Sequence, residues 1–138
     1  MKKTPAFFGL FIIIPLFTVF SAACGPAPVT AKLGEQFMLY AEKTVVISGE
    51  NLKIEFVEVV SDSRCPLGTE CVQAGEAQCK MQITYLNSKT SLTFIQQGRD
   101  DMTTDFSPFI ITFQLQPYPV YGDQISKKDY RLKITVTR

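Results

Sequence analysis

The chain has no histidine and no tryptophan in its 138 residues, and its 14 basic side chains nearly balance its 13 acidic ones. Each shortage disfavours a class of function. Without histidine the usual general base near neutral pH is missing, as is the commonest transition-metal ligand, so nucleophile–histidine hydrolases and most zinc or copper sites are not expected. Near-neutral charge leaves no basic footprint for a phosphate backbone, and nucleic acid is not expected as a partner. Cysteine is scarce, at four residues. What remains, 46% hydrophobic and 20% charged residues, is the composition of one globular domain long enough to bury a core.

The N-terminus carries a processing signature. Met1-Lys2-Lys3 gives a positive start, Ala6 to Phe20 is an apolar run, and the small residues Ser21-Ala22-Ala23 precede Cys24. A membrane span needs about 20 apolar residues; this run is shorter and Pro15 interrupts it, so it reads as an export signal that is removed. The stretch Ser21-Ala22-Ala23-Cys24 resembles the lipobox of bacterial lipoproteins, in which the cysteine is diacylated and becomes the first residue. Ala22, Ala23 and Cys24 match that motif, whereas Ser21 stands where it usually has Leu. Ordinary signal-peptidase cleavage after Ala23 is the alternative and would give the same first residue without lipid. Gly25-Pro26-Ala27-Pro28 reads as a tether. The expected organisation is a signal peptide over 1–23, a tether over 24–32 and a folded domain over 33–138. The expected location is the bacterial cell envelope, with the lipid on Cys24 in the membrane; a soluble periplasmic or secreted protein is the alternative.

Export changes the reading of the other cysteines, because thiols outside the cytoplasm tend to oxidise. Cys79 lies in Glu76 to Leu86, where Ala77, Cys79, Met81, Ile83 and Tyr85 alternate with polar residues. That pattern makes Cys79 a small core residue of a half-buried strand. Cys65 and Cys71 instead flank Pro66 and Gly68 in DSRCPLGTECVQAG (62–75), a loop-forming stretch short enough to close, and they are expected to pair as a disulfide. Closing so short a loop stabilises by only about 2 kcal/mol, so the bridge shapes the loop more than it holds the fold. A redox centre would want Cys-x-x-Cys or a helix N-terminus, and a metal site would need all three thiols reduced and convergent. No metal and no cofactor are therefore expected. Asp62 is expected to accept from loop N–H groups, and Arg64 to fork onto carbonyls or a carboxylate.

The rest of the chain has strand character. Glu35 to Ala41, Thr44 to Ser48 and Leu52 to Val60 are β-rich runs, the last two joined across Gly49-Glu50-Asn51 as a hairpin. After Glu76 to Leu86 come a turn at Asn87-Ser88-Lys89, a run from Ser91 to Gln96, a loop at Gly98 to Asp101, then Phe109 to Leu115 and Asp129 to Thr137. Pro117-Tyr118-Pro119 breaks the ladder between the last two. About seven short strands without an amphipathic helix predict an all-β antiparallel sandwich of immunoglobulin-like architecture, with a small barrel as the alternative. Two loops carry further candidates. Asp100, Asp101 and Asp105 could hold Ca²⁺, but no EF-hand spacing is present and Arg99 to Asp105 reads as a solvated loop. Tyr118 and Tyr121 either cover the end of the core or form an exposed recognition patch.

Asp62-Ser63-Arg64-Cys65-Pro66, Cys71-Val72, Ala74-Gly75, Leu115-Gln116-Pro117-Tyr118-Pro119, Tyr130 and Leu132 together resemble a family of uncharacterised bacterial secreted proteins and lipoproteins. The likeness runs from about Leu33 to the C-terminus and implies the β fold, export and the Cys65–Cys71 loop. It supplies no catalytic residue. Where that family commonly has Trp after the valine of the second cysteine segment, this chain has Gln73. The expected function is a non-enzymatic binding module that presents loops to an envelope partner, with Asp62, Arg64, Gln73, Tyr118 and Tyr121 as candidate residues. The alternatives are an inhibitor of a secreted enzyme such as a peptidase, a structural accessory protein and, least favoured, a carboxylate-based enzyme.

Overall fold

The computed structural model describes residues 28–138; the expected export signal and Cys24 lie outside the described residues. Nine strands form two sheets. They are β1 (Val29–Ala31), β2 (Gln36–Tyr40), β3 (Lys43–Ile47), β4 (Leu52–Asp62), β5 (Glu76–Tyr85), β6 (Ser88–Gln97), β7 (Met102–Phe106), β8 (Phe109–Gln116) and β9 (Arg131–Thr137). A five-stranded sheet has the order β1-β3-β4-β5-β6, and a four-stranded sheet the order β2-β9-β8-β7. All neighbours are antiparallel except the parallel pair β1 and β3. Among the described residues the two sheets remain separate layers and no closed barrel forms. The fold is the expected β-sandwich, although β3 to β6 run as one meander in a single sheet, whereas immunoglobulin strands divide between sheets earlier.

Alternation of side chains builds the core. Ile54 and Phe56 of β4 and Cys79, Met81 and Ile83 of β5 turn inward from one sheet, and Ile111, Phe113, Leu132 and Ile134 turn inward from the other, all buried. Each such side chain is worth about 1.5–3 kcal/mol of transfer from water. Phe94 of β6 stacks on Phe113 of β8 with ring centroids 4.5 Å apart, which locks the two layers together.

The structure departs from the sequence expectations in places that local pattern does not govern. β1 lies inside the stretch 24–32 read as tether: Ala31 is buried, and its carbonyl accepts from Ser48 N at 2.7 Å. Half of the supposed loop Arg99 to Asp105 is strand, because Thr103 and Thr104, β-branched residues, pair with Thr112 and Ile111. The turn after β5 is tighter than Asn87-Ser88-Lys89: Leu86 and Asn87 carry φ of +47° and +67°, a two-residue hairpin turn, and β6 begins at Ser88. A short 3₁₀ turn, Lys127–Asp129, precedes β9, which therefore starts at Arg131 rather than Asp129.

Candidate functional site

The chain between β4 and β5 is a rigid finger rather than a free loop. Past the last strand residues, Ser63 N donates to Glu76 O at 2.8 Å and Cys65 N to Ala74 O at 2.9 Å, so the hairpin continues into the loop. Gly75 makes this possible. Its φ is +64°, and a Cβ there would sit 1.8 Å from the Ser63 carbonyl oxygen, a contact only glycine avoids. The disulfide Cys65–Cys71, with Cα atoms 5.9 Å apart, closes the tip.

The finger is fastened to the connection that follows β8 in the other sheet. Leu67 N donates to Pro119 O and Tyr121 N donates to Leu67 O, each at 2.9 Å, so Leu67 and Val120 form a parallel bridge. Beneath this bridge lies a buried ionic clamp. The Arg64 guanidinium meets both oxygens of Asp62, through Nε at 2.8 Å and Nη2 at 2.7 Å, and reaches Leu115 O and Pro117 O at 2.9 Å each. Arg64 N and the Tyr130 hydroxyl donate to the same carboxylate at 3.2 and 3.0 Å. Tyr118 covers the guanidinium with its ring centroid 5.0 Å from Arg64 Cζ.

The clamp has a structural reason. β7 stops pairing at Met102 opposite Phe113, so two residues further along β8 Leu115, paired with Leu132 of β9 on one side, has no strand on its β7 side. Side chains replace the missing strand: Arg64 donates to Leu115 O, and Leu115 N donates to Oε1 of buried Gln96 at 3.1 Å. Gln96 Nε2 in turn donates to Asp100 O at 2.7 Å and holds the β6–β7 corner. Gln96 escaped the sequence reading because it is a polar residue on the apolar face of β6, and only the shortness of β7 explains it.

Electrostatics follow the geometry. Burial alone would raise the Asp62 pKa, but the bonds and charge of Arg64, with the Tyr130 hydroxyl, outweigh it and hold the carboxyl below its ordinary value. Burial, together with the Asp62 charge and the bond it accepts, pushes the Tyr130 hydroxyl up to about 12. The Cys79 thiol is also pushed up to about 12, by burial first, with Arg64 pulling it down and Asp62 raising it. It is free and buried, a core residue as its strand position implies.

No family model, no curated protein and no solved structure matches the chain. The residues must speak for themselves. The structure brings Asp62, Arg64 and Tyr118 into one clamp, with Tyr130 as its fourth member. Tyr121 lies apart from the clamp, 71% exposed, on the outer side of the Leu67–Val120 bridge. Gln73 is exposed on the finger next to Val72, which is fully exposed. Asp100, Asp101 and Asp105 do not converge: Asp101 pairs with Lys133 at 2.7 Å, and Asp105 sits on β7 opposite Ile110. Among the described residues no cluster of three metal-ligating side chains occurs.

Two surfaces among the described residues bear most directly on chemistry or recognition. A cleft of about 530 Å³ runs between the β2–β3 turn, the irregular stretch of β4 at Val57 to Val59, and Lys127, Lys128 and Tyr130. Its charged groups, Glu42, Lys43, Glu58, Lys127 and Lys128, are all exposed and of both signs. The other surface is the outside of the finger and its partner connection, where Leu67, Val120 and Tyr121 are exposed at the bridge and Val72 is exposed further along the finger. The polar groups of the clamp are satisfied by one another, while Thr69, Glu70 and Gln73 are exposed on the same finger.

Proposed function

We propose that the protein is an exported, lipid-anchored binding module of the bacterial envelope, without catalytic activity, whose binding end is the finger 63–75 together with residues 117–121. One observation carries the reading: a disulfide, an inter-loop bridge and a buried ion pair hold Leu67, Val72, Val120 and Tyr121 exposed on a fixed frame. Exposed apolar side chains gathered on loops mark interaction surfaces, and a surface that is ordered before contact loses little entropy on binding. The acidic candidate at this end supports a binding role rather than acid–base catalysis. Both oxygens of Asp62 are engaged, and its proton affinity is lowered, so it holds Arg64 in place instead of exchanging a proton with a substrate.

The test uses the exported chain with Cys24→Ser, which cannot be acylated, mixed with isolated envelopes. It should be retained, and a further variant with Leu67, Val72, Val120 and Tyr121 all changed to Ser should bind at least about tenfold more weakly. Equal retention of the two chains, or retention of neither, contradicts the assignment.

A further inference from the structure

The direction of β1 says which way the binding end faces. β1 runs parallel to β3, with Val29 opposite Val45, and Val45 lies opposite Ile54 on β4, which runs the other way. The chain upstream of Val29 therefore leaves the sheet in the direction in which β4 advances from Ile54 to Asp62, toward the disulfide-closed end. The height is readable from β5: Ile54 pairs with Ile83 and Asp62 with Ala77, a climb of about 20 Å at roughly 3.3 Å per residue. Five residues separate Val29 from Cys24, a reach of at most about 17 Å, so a lipid on Cys24 can lie no further along that direction than about the level of Asp62. The finger continues past that level, since Cys65 N still donates to Ala74 O there.

We propose that the disulfide-closed end is the membrane-facing end of the sandwich, with Leu67, Val72, Val120 and Tyr121 seated in the interfacial layer of the bilayer that receives the Cys24 lipid. The inference rests on the lipid-anchor reading and names the occupant of the same binding surface. The chemistry of the surface fits a lipid interface: three aliphatic side chains and one tyrosine, whose ring prefers the boundary between acyl chains and headgroups. The charges next to it, Glu70 on the finger and Asp123 just past Val120, are acidic and exposed, so apolar insertion rather than headgroup charge is the attraction invoked. The two chains of a diacylated Cys24 would fix attachment, and a second contact through the loops would add a fixed orientation.

Because the chain lacks tryptophan, one introduced indole reports alone. The acylated full chain carrying Val72→Trp, and separately Tyr121→Trp, is placed in protein-free phospholipid vesicles with and without bromine on the acyl chains. Leu86→Trp, in the β5–β6 turn at the far end, is the reference. Emission from positions 72 and 121 should shift to the blue and fall at least about twofold with brominated lipid, and that from position 86 should not change. The mass of the N-terminal peptide is measured on the same samples. An unacylated Cys24 overturns the anchor reading and this inference with it. Acylation without quenching at 72 and 121, the result expected if the surface takes a protein instead, or equal quenching at all three positions, overturns the orientation alone.

Discussion

Replacing Arg64 by Met removes the clamp while keeping the volume and the apolar stem of the side chain. Arg64 is buried and makes two bonds to Asp62 and one each to Leu115 O and Pro117 O. Each orphaned buried carbonyl costs about 1–3 kcal/mol, and breaking a buried ion pair from one side costs about 3–5 kcal/mol in total. Against a domain stability of about 5–15 kcal/mol, the loss is large, and we expect R64M to lower the unfolding free energy by about 3–5 kcal/mol. The effect should depend on pH with a definite sign. In the native protein the Asp62 pKa lies below its unfolded value, so the stabilisation it gives is complete above about pH 4 and fades as pH falls through the folded value. In R64M burial is opposed only by the Tyr130 hydroxyl and the backbone N–H of residue 64, so the carboxyl pKa rises, and acid relieves the penalty by protonating it. The gap between the two proteins should therefore be widest near neutrality and narrow below about pH 4. Adding Asp62→Asn to R64M should recover part of the loss. Urea unfolding followed by far-UV circular dichroism, from pH 3 to 7, reads all of this. A cost under about 1 kcal/mol, or a gap constant with pH, refutes the clamp as the element that holds this end together.

The remaining predictions concern the finger and the core beside it. Gly75→Ala forces a side chain into the Ser63 carbonyl and should cost at least about 2 kcal/mol through the strained φ and the lost ladder bonds; an unchanged urea midpoint contradicts the geometry. Cys65→Ser with Cys71→Ser should cost about 2 kcal/mol in global stability, while hydrogen exchange at Leu67 and Tyr121 rises well beyond that of the strand amides; a uniform rise would mean that the bridge does not shape the finger. Cys79 should resist iodoacetamide at pH 8 in the folded protein and react at once in urea, because its thiol is buried and titrates at about 12. Alkylation of the native protein at the rate of a free thiol refutes its placement.

What could be read in the sequence was whatever short-range pattern decides. The alternation through Glu76 to Leu86 and Asp129 to Thr137 located β5 and β9 to within two residues, and Gly49-Glu50-Asn51 located the β3–β4 hairpin, because period-two burial and turn chemistry are local properties. The Cys65–Cys71 pairing was legible for the same reason. β1 and β7 were not, since three residues carry no period and a polar edge strand such as Met102–Phe106 buries little. At the site, the chemistry of Arg64 was legible but its partners were only half so. Carbonyls and a carboxylate were expected, yet nothing in residues 62–75 points to Leu115, Pro117 or Tyr130, which folding delivers from the other sheet. Of the two tyrosines, Tyr118 lies over Arg64 and Tyr121 is exposed.

The central proposal is that the disulfide-closed end is the end that meets the envelope. A photo-reactive amino acid at position 72 of the full chain, illuminated in intact cells, tests this directly, with position 86 as the reference. The account predicts adducts from position 72 and none above background from position 86. Equal labelling at both positions, or labelling from position 86 alone, would contradict it.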